Sequence, residues 1–390
     1  MAGAAIGERT EQLLQTILLV DDDPINLDLL KETLDGLGYR LLEAENGQSA
    51  LNIANRERPD LILLDIMMPG MNGFEVCQQL RSNLETSGIP VIFLSGLDEL
   101  EDRVRGLQEG AVDFIGKPFR VAEVIARVNT HLTISKLSKE VKRQRDELER
   151  ELQQVADAQR SLLLKDLPEI SSFQLAVRYE TSRYAGGDLF DVLPLADNRW
   201  GILIADVEGH STPAAVLMAI CCTLMRSYAG DAADPAAVLN YLNRNLCKLS
   251  GSRMVTALYA VYDAAHHRLR LTSAGHHSPL LYRPNNGTVR DIECEGIFPL
   301  GLEPYEGGVV PVEEIELQLG DQLLFYTDGL VERFNPEKQM YGVERLKQQL
   351  AAAVSKSPED ILQQISADVN RFAAGCPADD DQTMLLAIVD

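Results

Sequence analysis

Two sets of side chains in this chain of 390 residues could handle phosphate. In the first, polar residues fall at the ends of short apolar runs. Asp21 and Asp22 follow ILLV, Asp65 closes LILLD, Ser95 closes VIFLS and Lys117 follows DFIG. Mg²⁺ takes hard oxygen ligands and keeps several waters, so one or two carboxylates and a phosphate oxygen complete its shell. An aspartate beside that ion can act as a nucleophile on phosphorus. Lys117 would neutralise charge on the phosphoryl oxygens, and Ser95 would donate a hydrogen bond to them. Any one of these residues alone reads as a helix cap or a surface lysine; their joint order carries the reading.

The second set is carboxylate-only. Asp188 lies in AGGDLFD, Asp206 in IADVEGH, Asp328 in YTDGLVE, and Asp379, Asp380 and Asp381 in ADDDQT. No cysteine is interspersed, so a soft-metal site is disfavoured and Mg²⁺ or Mn²⁺ is expected. Two such ions about 4 Å apart can bind phosphate oxygens and activate water for in-line attack on phosphorus, which needs no protein nucleophile. Singly, D-G and D-D are ordinary turns. The six cysteines, at 77, 221, 222, 247, 294 and 376, show no C-x-x-C spacing, so neither a zinc site nor a disulfide framework is indicated. His266-His267 reads as a hairpin turn and His276-His277 as a structural loop, because neither pair has the i, i+4 spacing of a zinc protease. Trp200 reads as core.

Three segments must position these residues. Over 15–131, the runs ILLV, RLLEA, LILLD, VIFLS and DFIGK alternate with amphipathic stretches, which predicts a doubly wound parallel α/β sheet with its chemistry at the carboxyl strand ends. The helix after Pro24 is expected to cover that sheet with Ile25, Leu29, Leu30, Leu34 and Leu37. Over 132–165 there is no Pro or Gly, and Ile134, Val141, Leu148, Val155 and Leu162 recur at intervals of seven, the pattern of a coiled-coil linker helix. The companion positions Leu137, Gln144, Glu151, Ala158 and Lys165 are mostly polar, so the seam is weak; a lone helix packed on its own domain is the competing reading. Over 166–390, short alternating strands such as GILIADV and DQLLFYTD, broken by helical stretches, predict an α+β sandwich.

Composition bounds the partners. Hydrophobic residues make up 45% and charged residues 24%, near the average for globular protein, so real cores can form. A net charge of -23, from 36 basic and 59 acidic residues, opposes binding to nucleic acid or anionic membrane. No run approaches the roughly 18 apolar residues of a membrane span, and the N-terminus lacks a leader pattern, so a cytoplasmic protein is expected.

The segments LLVDDDP, LLDIMMPGMNG, FLSG and DFIGKPF, taken together, resemble the receiver domain of two-component response regulators. The resemblance implies that Asp65 is the phosphoacceptor and that Asp21 and Asp22 are the acidic pair holding Mg²⁺, joined by the main-chain carbonyl of Met67. It also makes Ser95 and Lys117 the switch hydroxyl and lysine, Phe114 the rotating aromatic and Lys117-Pro118 a cis peptide. A histidine kinase or phosphotransfer protein would be the donor.

From about Leu162 onward, RYAGGDLFD, ADVEGHSTPAAVLM, MVTALYAVYD, AGHHSPLLYR, FPLGL, GDQLLFYTDGLVE and DDDQTMLLAIV resemble the SpoIIE and RsbU branch of the PPM-type serine/threonine phosphatases, an αββα sandwich. That resemblance implies two Mn²⁺ or Mg²⁺ ions bridged by Asp206, with Asp188 and the carbonyl of Val207 on one and Asp328 and Asp380 on the other. Asp191 and Asp381 sit beside these ligands, and Ser211 stands where the family usually has Gly. The implied substrate is a phosphoserine or phosphothreonine protein, commonly a STAS-domain anti-sigma factor antagonist, and the expected active form is a dimer activated by phosphorylation. Two alternatives stand beside this: a non-catalytic, phospho-regulated adaptor, and a diguanylate cyclase, whose GGDEF signature GGDLF resembles.

Overall fold

The computed structural model describes residues 14–96, 106, 108–164, 166–170, 172–182, 185–209, 212–249, 251, 253–305, 310–353 and 357–390. Ser211 and Lys165 lie outside the described residues. The chain divides into two compact units, with the boundary between Glu147 and Leu148.

In the first unit, strands β1 (Thr16–Val20), β2 (Arg40–Ala44), β3 (Leu61–Asp65), β4 (Val91–Ser95) and β5 (Asp113–Gly116) form a parallel sheet in the order β2-β1-β3-β4-β5. Its apolar runs are buried on both faces. Leu18, Val20, Ile62, Leu64 and Phe93 meet helices α2 (Gly47–Glu57) and α3 (Gly73–Ser82), while Ile17, Leu19, Leu63 and Ile92 meet α1 (Pro24–Leu34) and the start of α4 (Val121–Arg160). Such two-sided burial explains why the strands read as unbroken apolar runs rather than alternating ones.

Helix α1 faces the sheet with a set of residues that differs from the expected one. Leu27, Leu30 and Leu34 are buried, whereas Ile25, Leu29 and Leu37 are exposed. At about 100° per residue, Ile25 and Leu29 point away from Leu27 and Leu34, and Leu37 lies beyond the helix end.

Helix α4 begins as the last helix of the sheet domain and continues without a break to Arg160. Val124, Val128 and Leu132 are buried against the sheet, but Ile134, Leu137, Val141, Leu148 and Val155 face solvent. The sevenfold series therefore has four members on the helix. The fifth, Leu162, lies past the helix end and packs into the core of the second unit.

The second unit is a four-layer αββα sandwich. One antiparallel sheet runs β13 (Glu313–Glu316), β10 (Arg268–Ala274), β9 (Val255–Asp263), β8 (Arg199–Val207), β7 (Leu189–Leu195); the other runs β12 (Thr288–Asp291), β11 (Leu280–Arg283), β14 (Gln322–Tyr326), β15 (Gln382–Val389), β6 (Phe173–Glu180). Ile202, Leu258, Tyr262, Phe325 and Leu385 fill the space between the sheets, with Trp200 half-buried at its margin. Helices α5 (Thr212–Arg226) and α6 (Pro235–Leu249) cover the first sheet, and α8 (Val343–Ala352) and α9 (Pro358–Ala373) cover the second. A single-turn helix, α7 (Asp328–Val331), comes directly after β14.

Candidate functional site

Each unit gathers its acidic residues at the ends of its strands. In the first, Asp21 follows β1, Asp65 ends β3 and Ser95 ends β4, so all three sit at the carboxyl edge of the sheet. The strand order reverses between β1 and β3, which opens a crevice there. One oxygen from each of Asp21, Asp22 and Asp65 lies within 4.8 Å of the others. Asp21 and Asp65 are buried and Asp22 is exposed. Lys117 Nζ reaches Asp21 Oδ2 at 2.8 Å and Asp65 Oδ2 at 2.9 Å.

Burial pushes the Asp65 carboxyl above its ordinary value, against the pull of Lys117. Burial would lower the Lys117 ammonium, yet its hydrogen bonds to Asp21 and Asp65 raise it, so it stays charged. Three carboxylates facing one lysine leave excess negative charge, and the all-oxygen donor set suits Mg²⁺. The start of α3 presses on the site: a Cβ at Gly73 would stand 2.3 Å from the Asp65 carbonyl oxygen. Phe114 is buried, with its ring 5.7 Å from that of Phe93. Lys117-Pro118 is cis, as expected. Met67 exposes its side chain, while its N–H points to Asp65 Oδ1 at 3.4 Å.

In the second unit, the chain enters β7 through Gly186-Gly187-Asp188 and leaves β8 through Asp206-Val207. These turns touch: a Cβ at Gly187 would lie 2.5 Å from the Val207 carbonyl oxygen and 3.3 Å from Asp206 Oδ1. Only glycine allows that approach. Asp188 is fully buried, and its Oδ2 accepts from the hydroxyls of Thr327 at 2.8 Å and Thr383 at 2.5 Å. Asp328 opens α7, where a Cβ at Gly329 would collide with the Asp381 carbonyl oxygen, so the D-G and D-D-D turns abut.

The electrostatics show one cluster. Burial, then Asp206, pushes Asp188 well up; burial, then Asp328 and Asp380, raises Asp206; burial, then Asp380, raises Asp328. Among the described residues, only the Asp21, Asp22 and Asp65 triad brings three carboxylate oxygens as close as 4.8 Å. With the Val207 carbonyl, the donors of the second cluster are all hard oxygens, which fits Mg²⁺ or Mn²⁺.

The two neighbouring acids have other work. Asp381 accepts from the N–H groups of Ser182 at 2.8 Å and Gly187 at 2.6 Å, holding the turn before Asp188. Asp191 is ion-paired to Arg226 at 2.8 Å. His266 and His267 lie in the turn between β9 and β10, and His276 is buried with Nδ1 2.9 Å from the Thr256 hydroxyl. Sequence reading missed Thr327 and Thr383, although each stands next to a D-G or D-D-D turn. It also missed Gln159, whose side chain bonds to the backbone of Gly186.

Comparison with known proteins assigns both units. The profile described as "Response regulator receiver domain" matches 17–129, and that described as "Stage II sporulation protein E (SpoIIE)" matches 196–390. Asp206, Asp328 and Asp380 fall inside the latter match; Asp188 precedes it. Protein PilH of Pseudomonas aeruginosa is 40% identical over 116 residues, 30% of this chain and 96% of its own. The DNA-binding dual master transcriptional regulator RpaA of Synechocystis is 42% identical over 116 residues, 30% of this chain and 48% of RpaA. Response regulator PleD of Caulobacter vibrioides is 43% identical over 142 residues, 36% of this chain and 31% of PleD. The chain thus spans less than half the length of RpaA and PleD. Among solved structures, the RsbU and RsbW domains of Rv1364c from Mycobacterium tuberculosis match with TM-score 0.50 and 27% identity, covering 58% of this chain and 63% of that one. The SiaA-PP2C domain of Pseudomonas aeruginosa matches with TM-score 0.56 and 18% identity, covering 63% and 98%, a likeness of fold. The GGDLF segment, which also suggested a cyclase, belongs to this two-sheet sandwich.

Proposed function

The chain belongs to the stage II sporulation protein E family, with a response regulator receiver domain ahead of the family segment, and from that premise we propose that it is a protein serine/threonine phosphatase controlled by phosphorylation at Asp65. In this reading 15–131 is the receiver, 132–165 the linker and 166–390 the phosphatase. The observation that carries it is the meeting of Asp188, Asp206 and the Val207 carbonyl around Gly187, with Asp328 brought against the Asp380-Asp381 turn.

Asp206 is the carboxylate that would bridge two Mn²⁺ or Mg²⁺ ions, with Asp188 and the Val207 carbonyl on one and Asp328 and Asp380 on the other. When bound, such ions offset phosphate charge and supply a water-derived nucleophile. The chain's own part is to hold the donors in place. Thr327 and Thr383 fix one oxygen of Asp188, Asp381 holds the Gly187 N–H, and burial keeps the cluster in a low-dielectric setting where charge acts strongly.

At the receiver, Asp65 would take a phosphoryl group from a histidine kinase or phosphotransfer protein, beside Mg²⁺ on Asp21, Asp22 and the Met67 carbonyl. Lys117 is already paired to Asp65 and stands ready to neutralise the added charge, with Ser95 and Phe114 as the responding pair. A STAS-domain anti-sigma factor antagonist is the substrate the family resemblance favours, and a cytoplasmic setting agrees with such partners. Among the described residues no helix is long and apolar enough to cross a membrane. The exposed line Ile134, Val141, Leu148 and Val155 favours a homodimer seam along α4.

The test uses the full chain. Acetyl phosphate with Mg²⁺ should label Asp65 with a hydroxylamine-labile adduct that Asp65→Asn lacks. Labelling or beryllofluoride should then change Mn²⁺-dependent hydrolysis of p-nitrophenyl phosphate. A chain that binds a phosphorylated STAS protein but hydrolyses neither substrate would be an adaptor instead.

A further inference from the structure

The turn that carries Asp206 and Val207 runs on to the surface through Glu208 and Gly209, both exposed. Its carbonyl groups do not all face one way. A Cβ at Gly187 would meet the carbonyl oxygens of Val207 at 2.5 Å and Gly209 at 3.1 Å, so these two face Gly187. The Glu208 carbonyl between them is turned instead to Arg253, accepting from its Nη1 at 3.1 Å. Arg253 is half-buried and stands two residues before β9. The Glu208 N–H donates to the Met254 carbonyl at 3.0 Å, which prolongs the β8–β9 pairing and fixes Arg253 beside the turn.

A guanidinium presents five N–H donors in a planar fork, and Arg253 uses one of them on Glu208. It has no carboxylate partner among the described residues. Glu208 itself turns Oε2 toward the Met254 N–H, at 3.4 Å. Elsewhere in this unit Arg226, Arg283 and Arg345 pair with the buried Asp191, Asp321 and Asp368 at 2.8, 2.9 and 2.8 Å. The way to Arg253 is clear, because Gly209 has no side chain. Among the described residues beyond its chain neighbours, only Arg253 Nη1, at 3.5 Å, lies within 4 Å of where a Gly209 Cβ would stand.

We propose that Arg253 is a specificity residue whose free edge binds an acidic side chain flanking the phosphoserine or phosphothreonine of the protein substrate. This rests on the reading of the second unit as a phosphatase. Phosphate would bind where Asp188, Asp206 and the Val207 carbonyl meet, around Gly187. Arg253 is bonded to the carbonyl turned from Gly187, so it borders that place and meets the neighbouring side chain. The free edge of a guanidinium matches a carboxylate with two parallel hydrogen bonds.

The experiment uses the full chain with Mn²⁺, with and without beryllofluoride, and alanine-rich phosphoserine peptides carrying Glu, Ala or Lys on either side of the phosphoserine. Phosphate release gives kcat/KM for each. Selectivity is a ratio of these values, so uniform damage to the turn cancels from it. The parent should favour Glu over Ala by on the order of 10-fold, the scale of one charge-assisted pair. The chain's net charge of -23 favours Lys instead, so a Glu preference has to be supplied locally. Arg253→Met should bring the Glu-to-Ala ratio to about one, and Arg253→Glu should turn the preference toward Lys. Added salt should shrink the parent's Glu preference. Equal or absent hydrolysis of the Glu and Ala peptides by a parent that hydrolyses p-nitrophenyl phosphate overturns the proposal. So does a ratio that survives in Arg253→Met while turnover of every substrate falls together, since Arg253 would then prop the turn or touch the phosphoryl group. Should Arg253→Met fail to fold, Arg253→Gln decides by the same ratio. A parent that hydrolyses neither the peptides nor p-nitrophenyl phosphate removes the phosphatase reading, and the proposal with it.

Discussion

Thr383 and Asp188 stand 195 residues apart in the chain, yet the Thr383 hydroxyl donates to Asp188 Oδ2 at 2.5 Å, where it joins Thr327. The bond joins the strand that ends the chain to the turn that opens β7. It links the two sheets at the point where the carboxylates gather.

Thr383→Val removes that donor while keeping the shape. The buried carboxylate then loses one of its two hydroxyl partners, a penalty of about 1–3 kcal/mol for an unmet buried group. Chemical denaturation of the metal-free protein should show a loss of that size. No change would mean that Asp188 does not depend on this bond.

Asp206→Ala should lower turnover by about 100-fold or more, equivalent to roughly 2.7 kcal/mol of barrier, while the protein stays folded. Asp328→Ala and Asp380→Ala should fall similarly and recover in part at high Mn²⁺, because in the proposed arrangement each serves one ion. Near-parental activity in Asp206→Ala would remove the two-ion reading.

The cluster also predicts a pH dependence. Burial, then Asp328, Asp380 and Asp381, raises Asp206 from 3.8 to about 7. A carboxyl raised in the folded state adds stability below its unfolded value, and that contribution is lost as pH rises through the folded one. The metal-free protein should therefore weaken between about pH 4 and pH 7. Divalent ions offset the repulsion, so the Tm gain from Mn²⁺ should grow over that window. In Asp206→Ala the growth should be smaller, and an equal pH trend in both proteins would place its source elsewhere.

Helical phase along α4 should matter to signalling. Four residues inserted near Gln153 rotate the segment beyond the insertion by about 40° and move Val155 out of line with Ile134, Val141 and Leu148; seven residues keep the register. Beryllofluoride should change turnover in the parent and in the seven-residue insertion, but not in the four-residue one. Equal responses from both insertions would make the linker a passive tether.

The sequence by itself determined the elements and the order of the acids. Short unbroken apolar runs such as LILLD and VIFLS, alternating with amphipathic stretches, read as strands buried on both faces, which put Asp65 and Ser95 at strand ends. A period of seven without Pro or Gly likewise marked the long helix. Only the tertiary structure decided which acids meet. Asp191 and Asp188 are three residues apart, yet one pairs with Arg226 on α5 while the other joins Asp206, because neighbouring turns and strands direct them to different partners. Leu162 obeys the heptad in sequence but lies past Arg160, where the helix stops and the core takes it in. Gln159 looked like any polar residue on a charged helix, since its partner, the backbone of Gly186, carries no side chain to signal it. Contacts of this kind arise when sheets and helices pack, and local pattern records only which face is apolar.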